Sequence, residues 1–83
     1  MNKSILILHP NKWVTEDILM QLTGLSSSAI KTARKKSWFE GREYRHYSAD
    51  CNPKDNSPIM YNRLAVDEWV ERQNMAVPRG NNG

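Results

Sequence analysis

Three stretches of the chain place apolar residues at helical spacing, and a fourth alternates as a strand does. The first helix is predicted to start at Thr15, a good N-cap residue. Glu16 and Asp17 fill its first turn, where the helix dipole favours anions, and Val14 is placed to staple onto Leu19. Gly24 stops it as a C-terminal cap. Leu25, Ser26 and Ile30 repeat the same staple-and-cap grammar at once, so two short helices are joined by a tight turn containing glycine, which is helix-turn-helix spacing. On the second helix, counting about 100° per residue puts Ile30, Ala33 and Ser37 on one side and Ser27, Lys31, Arg34 and Lys35 on the other. Thr32 and Lys36 fall nearer the packed side.

After Gly41 the segment Arg42 to Ser48 alternates Tyr44 against Arg45 and reads as a strand. Asp50 to Pro58 is rich in turn residues, and Ile59 to Tyr61 can return as the partner strand, giving a hairpin with a long tip. Asn62 reads as the N-cap of a third helix, with Tyr61 stapling onto Val66. Val66, Trp69 and Val70 supply an apolar stripe that ends near Gln73. The expected architecture is α+β: a small winged helix-turn-helix of two short helices, a β-hairpin wing and a third helix. Before it, Ile5 to Leu8 reads as a short strand or an extended arm, with His9, Pro10 and Asn11 as a turn. From Ala76 onward little can be buried. The division is therefore 1–12 as arm or strand, 13–74 as a winged-helix DNA-binding domain and 75–83 as a disordered tail.

Charge sharpens this picture because it is localised. Residues 31–47 carry a net +4, against 0 for residues 1–30 and −1 for residues 48–83, so one helix and the strand after it own the chain's positive balance of +3. That is the footprint expected for a polyanion, and double-stranded DNA is the first candidate partner. At 83 residues there is room for one small core, with Trp13, Trp38 and Trp69 each able to anchor one element. Trp38 and Phe39 together read as a core plug between the second helix and the hairpin.

Other chemistries find little support. Cys51 has no second thiol, and His9 and His46 lack ligand spacing, so neither a disulfide, a metal nor another cofactor is expected. No Ser/His/Asp set, paired carboxylates or phosphate-loop glycines point to an enzyme. The Ile5–Leu8 run is too short for a signal core or a membrane span, which makes a cytoplasmic protein the expectation.

The candidate DNA contacts follow from the helix-turn-helix. Ser27 and Ser28 open the second helix, where free N–H groups and the positive dipole end suit a phosphate oxygen. Lys31, Arg34 and Lys35 recur at i, i+3 and i+4, and Arg34 is the favoured reader of guanine because its planar fork can bond O6 and N7 together. Arg42 and Arg45 border the wing strand and Lys54 sits at its tip, positions from which a wing reaches an adjacent minor groove or backbone. Each has a plainer reading, as an ordinary cap, a solvated basic face or charge protecting an edge strand. His46 reads as a packed or half-exposed hairpin residue.

Taken together, Trp13-Val14-Thr15-Glu16, Thr23-Gly24-Leu25, Ala33 to Trp38, Gly41-Arg42-Glu43-Tyr44, Tyr61-Asn62-Arg63 and Asp67-Glu68-Trp69 resemble the small phage excisionases, in particular the group found in enterobacterial prophages. The resemblance runs from about Trp13 to Glu71; the wing tip, Ala49 to Ser57, is longer than in the minimal excisionase. It implies a winged helix related to MerR-type DNA-binding heads, with no catalysis of its own. It also implies binding and bending of attachment-site DNA, often by several copies side by side, and a tyrosine-type integrase as partner, turned toward excision. Two alternatives remain open from the residues: a winged-helix transcriptional regulator, and a small protein-interaction module acting on an integrase or response regulator.

Overall fold

The computed structural model describes residues 11–78. Along the chain it contains β1 (Trp13–Val14), α1 (Glu16–Thr23), α2 (Ser27–Lys36), β2 (Tyr44–His46), β3 (Ile59–Asn62) and α3 (Arg63–Glu71). The arm or strand expected through Ile5–Leu8 lies outside the described residues, as do positions 79–83 of the expected tail; residues 75–78 are exposed and belong to no helix or strand.

Each helix begins where a side chain can satisfy its unpaired N–H groups. Thr15 Oγ1 accepts from the Ile18 N–H, Ser26 Oγ from Ala29, and Asn62 Oδ1 from both Leu64 and Ala65. Each such cap contributes about 1 kcal/mol. Gly24 ends α1 in the left-handed region at φ 80°, its N–H returning to the Met20 carbonyl, a conformation an L side chain adopts only at a cost. The Thr23 hydroxyl reinforces this turn by donating to the Leu19 carbonyl and accepting from the Leu25 N–H. α1 and α2 are thus joined through Gly24, Leu25 and Ser26 alone.

The sheet is antiparallel with strand order β1-β3-β2. Trp13 and Val14, read above only as the lead-in to the first helix, form an edge strand opposite Asn62 and Tyr61. Two residues are too few for a period-2 pattern; what makes them a strand is the presence of β3 alongside. β2 is also shorter than the predicted Arg42–Ser48, because residues 41–43 are spent on a turn centred on Gly41 at φ 97°. Register places Val14, Tyr61 and Tyr44 in one row on the inner face. Arg45 and Met60 pair on the opposite face.

Val14, Leu19, Ile30, Ala33, Trp38, Tyr61 and Val66 form the core, with Met20, Leu25, Tyr44, Ile59 and Trp69 packed against it. Trp38 is its hub: its ring meets Trp69 edge-on at 5.4 Å and Tyr61 at 6.0 Å, pairings that each add about 0.5–1.5 kcal/mol beyond burial. The expected Trp38–Phe39 plug is half right. Phe39 is 64% exposed, because Trp38 already fills the space inside and the chain turns outward at the next residue. Its ring instead carries the Arg42 guanidinium at 4.8 Å. Ser37, placed above on the packed side, is exposed as the residue that ends α2. Two helices at a tight turn, a small antiparallel sheet with a β2–β3 hairpin and a closing helix constitute an α+β domain with the layout of a winged helix.

Candidate nucleic-acid interface

The burial of α2 fixes which of its sides is available. Ile30 and Ala33 are buried, and with about 100° between successive residues the outward side is centred on Ser28 and Lys35, flanked by Lys31 and Thr32. All four are exposed. Sequence counting had set this face about a sixth of a turn away, favouring Ser27 and Arg34 and setting Thr32 aside. The packed side itself is unchanged, since Ser37 falls between Ile30 and Ala33 around the helix; the difference arises because Ser27 and Arg34 were grouped with the lysines by polarity, although each lies only about 40–60° from Ile30.

Ser27 and Arg34 occupy the margin between core and solvent, and both are engaged within the protein. The Ser27 hydroxyl donates to Glu16 Oε2 at 2.7 Å, bringing a carboxylate of α1 to the first residue of α2. That helix has no acid of its own in its first turn, so Glu16 supplies the negative partner its dipole favours. Arg34 donates from one terminal nitrogen, Nη1, to the Tyr61 hydroxyl at 2.5 Å. Burial pushes the Tyr61 phenol pKa above its usual 10, and the Arg34 charge and hydrogen bond pull against that shift.

On the hairpin side, Arg42 lies in the turn before β2, where its Nε donates to Glu43 Oε2 at 2.6 Å while the guanidinium covers Phe39. Glu43 is fully buried, a role that nothing in its sequence context announced. Its Oε1 accepts from the Phe39 N–H at 3.0 Å, and the Arg72 guanidinium beyond α3 approaches Oε2 at 3.9 Å. Backbone bonds from Glu43 N–H to the Phe39 carbonyl and from Asn62 N–H to the Glu43 carbonyl tie the same residue to the turn and to β3. The carboxylate therefore pins the entry of the hairpin to the end of α2. The only sequence signal for it was an acid flanked by two turn-and-strand residues in Gly41-Arg42-Glu43-Tyr44.

Arg45 is exposed in the middle of β2, on the sheet face opposite Tyr61, and Lys54 is exposed at the tip. The tip is internally bonded. Ser48 Oγ donates to Asp50 Oδ1, Asn52 N–H donates to both side chains, and Lys54 N–H donates to Ser57 Oγ at 2.8 Å. At the base of the wing His46 is half-buried, and its N–H and ring Nδ1 both meet Glu40 Oε2, at 2.9 and 2.8 Å. Glu40 is held below the usual carboxylate range, first by the His46 backbone N–H and then by its ring.

Among the described residues no cluster of His, Cys, Asp or Glu could hold a metal ion, and no helix is long and apolar enough to cross a membrane. Fold and side chains define a small α+β domain, compatible with a winged helix, whose second helix exposes lysines along its outward face. The family described as "Putative excisionase (DUF1233)" matches residues 5–74, and the chain belongs to that family. The match takes in the Ile5–Leu8 run as well as every described element. No curated protein matches the chain.

Proposed function

We propose that this protein is a non-catalytic, sequence-specific DNA-binding factor that directs a tyrosine-type integrase toward excision by binding and bending attachment-site DNA. In this reading residues 13–74 form the DNA-binding unit and α2 lies in the major groove. Lys31 and Lys35 meet phosphates and base edges, and Ser28 and the N-terminus of α2 hold a phosphate oxygen. Ser27 supports that corner through Glu16 instead of reaching the duplex itself. The hairpin flanks the groove with Arg42, Arg45 and Lys54 near the backbone. Copies bind side by side on that DNA.

The observation that carries this proposal is the outward face of α2. Ser28, Lys31, Thr32 and Lys35 are all exposed there, on a helix that its neighbour presents through a tight glycine-capped turn. Membership of an excisionase-described family supports the recombination role. A footprint of the purified protein on attachment-site DNA tests it: the proposal expects protection of a discrete site and a change in the integrase's product ratio toward excision. Binding to a promoter with no effect on the integrase would leave a transcriptional regulator, and binding to the integrase without DNA protection would leave a protein-interaction module.

A further inference from the structure

The Arg34–Tyr61 bond joins the margin of α2 to the most constrained side chain of the sheet. Tyr61 is 1% exposed, sits on the central strand between Val14 and Tyr44, and has its ring against Trp38. Its hydroxyl is therefore a fixed point. An arginine on a helix margin would ordinarily sample many rotamers, and ordering it on a partner costs much of whatever a contact then gains. Here one terminal nitrogen is already held at 2.5 Å, and the guanidinium makes no other hydrogen bond among the described residues. What remains is the edge formed by Nε and the other terminal nitrogen, two parallel N–H groups that match the O6 and N7 acceptors of guanine.

We infer that Tyr61 is a positioning residue for recognition: its hydroxyl holds the Arg34 guanidinium so that the free edge reads one guanine. The inference rests on the proposal that α2 enters the major groove, and it assigns specificity to a residue that never touches DNA. It separates two kinds of contact on the same helix. Lys31 and Lys35, both exposed, chiefly supply affinity for any duplex, whatever base edges they also touch; Arg34, half-buried and oriented beforehand, supplies the sharper discrimination. A purely structural cross-link would predict instead that losing the hydroxyl lowers stability and leaves base preference alone.

The test uses the full chain and a preferred duplex selected from a random-sequence pool, together with all its single-base-pair variants and an unselected duplex. Arg34→Ala should reduce discrimination at one guanine by about five- to a hundredfold. Tyr61→Phe, which keeps the ring, should lose most of that discrimination at the same base pair while binding the unselected duplex as the parent does. The double variant should discriminate no worse than Arg34→Ala alone. A Tyr61→Phe protein that keeps full preference at the base pair lost by Arg34→Ala overturns the inference and leaves the DNA-binding proposal standing. A parent protein that binds no duplex overturns that proposal itself. Should Tyr61→Phe not fold, the Arg34 Nε–H resonance of the free parent protein decides: a rigid side chain supports the inference, and one averaging as freely as an exposed arginine contradicts it.

Discussion

Arg42 donates its Nε to the Oε2 of Glu43, its own neighbour in sequence, at 2.6 Å, with the carboxylate wholly buried and the guanidinium half in solvent. A buried carboxylate survives only when its lone pairs are taken up, and here Phe39 N–H, Arg42 and the more distant Arg72 do so. Replacing Glu43 by Ala leaves the Phe39 N–H unpaired, while both arginines can still turn to water. The expected loss is therefore about 1–3 kcal/mol, below the range for a fully buried pair. Urea unfolding of Glu43→Ala measures it, and a midpoint unchanged from the parent would mean that the carboxylate does not hold the hairpin to α2.

The two serines at the start of α2 should behave differently. Ser28 is exposed at the helix N-terminus, whereas the Ser27 hydroxyl is committed to Glu16. Ser28→Ala is expected to weaken DNA binding by several-fold with an unaltered melting temperature. Ser27→Ala should lower stability by about 0.5–1.5 kcal/mol, the scale of one hydrogen bond to a partly solvated partner. Parallel titrations and thermal melts of the two variants make the comparison, and reversed outcomes would place the phosphate contact on the wrong residue.

Trp38 carries an unusual combination: it is the hub of the aromatic cluster, yet its indole N–H finds no hydrogen-bond partner among the described residues. Trp38→Ala should cost about 3–5 kcal/mol, enough to unfold most of so small a domain. Trp38→Phe should cost less than the lost volume alone would suggest, because it also removes the unpaired donor. Equal destabilisation of the two variants, read by circular dichroism on denaturant titration, would contradict this account of the core.

Much of this was legible in the sequence because it is local. Thr15, Ser26 and Asn62 were readable as caps and Gly24 as a stop, since the helix-end chemistry lies within four residues of each. What could not be read depends on partners far along the chain. Trp13–Val14 is a strand only because β3 lies beside it. Trp38 and Phe39 look equivalent in sequence, and only the packing of α3's Trp69 against Trp38 decides which goes inside. The outward face of α2 was set slightly off because Ser27 and Arg34 were grouped with the lysines by polarity, although both lie at its margin. Arg34 was identified as a candidate guanine reader, but its tether is a tyrosine 27 positions away that no helical period could reveal.

The wing's base should respond to acid. Glu40 has its pKa lowered by the His46 N–H and ring, so the stability this contact contributes is fully present above the ordinary carboxylate value of 4.5. It is lost as pH falls through the lower, folded-state pKa. Glu40→Gln should therefore be less stable than the parent near neutrality, with the two converging as pH falls through the folded-state pKa, so the variant's profile is flatter on the acid side. Equal stability of parent and variant above pH 4.5 would show that the Glu40–His46 contact contributes nothing to folding.

The central claim is that the lysine-bearing outward face of α2 meets a duplex, and the salt dependence of DNA affinity reports on it most directly. With four to six phosphates neutralised, log K should fall against log salt with a slope of about −4 to −6, and replacing both Lys31 and Lys35 by Ala should flatten that slope by about 2. A parent slope near zero, or a double variant whose slope matches the parent's, would contradict the account.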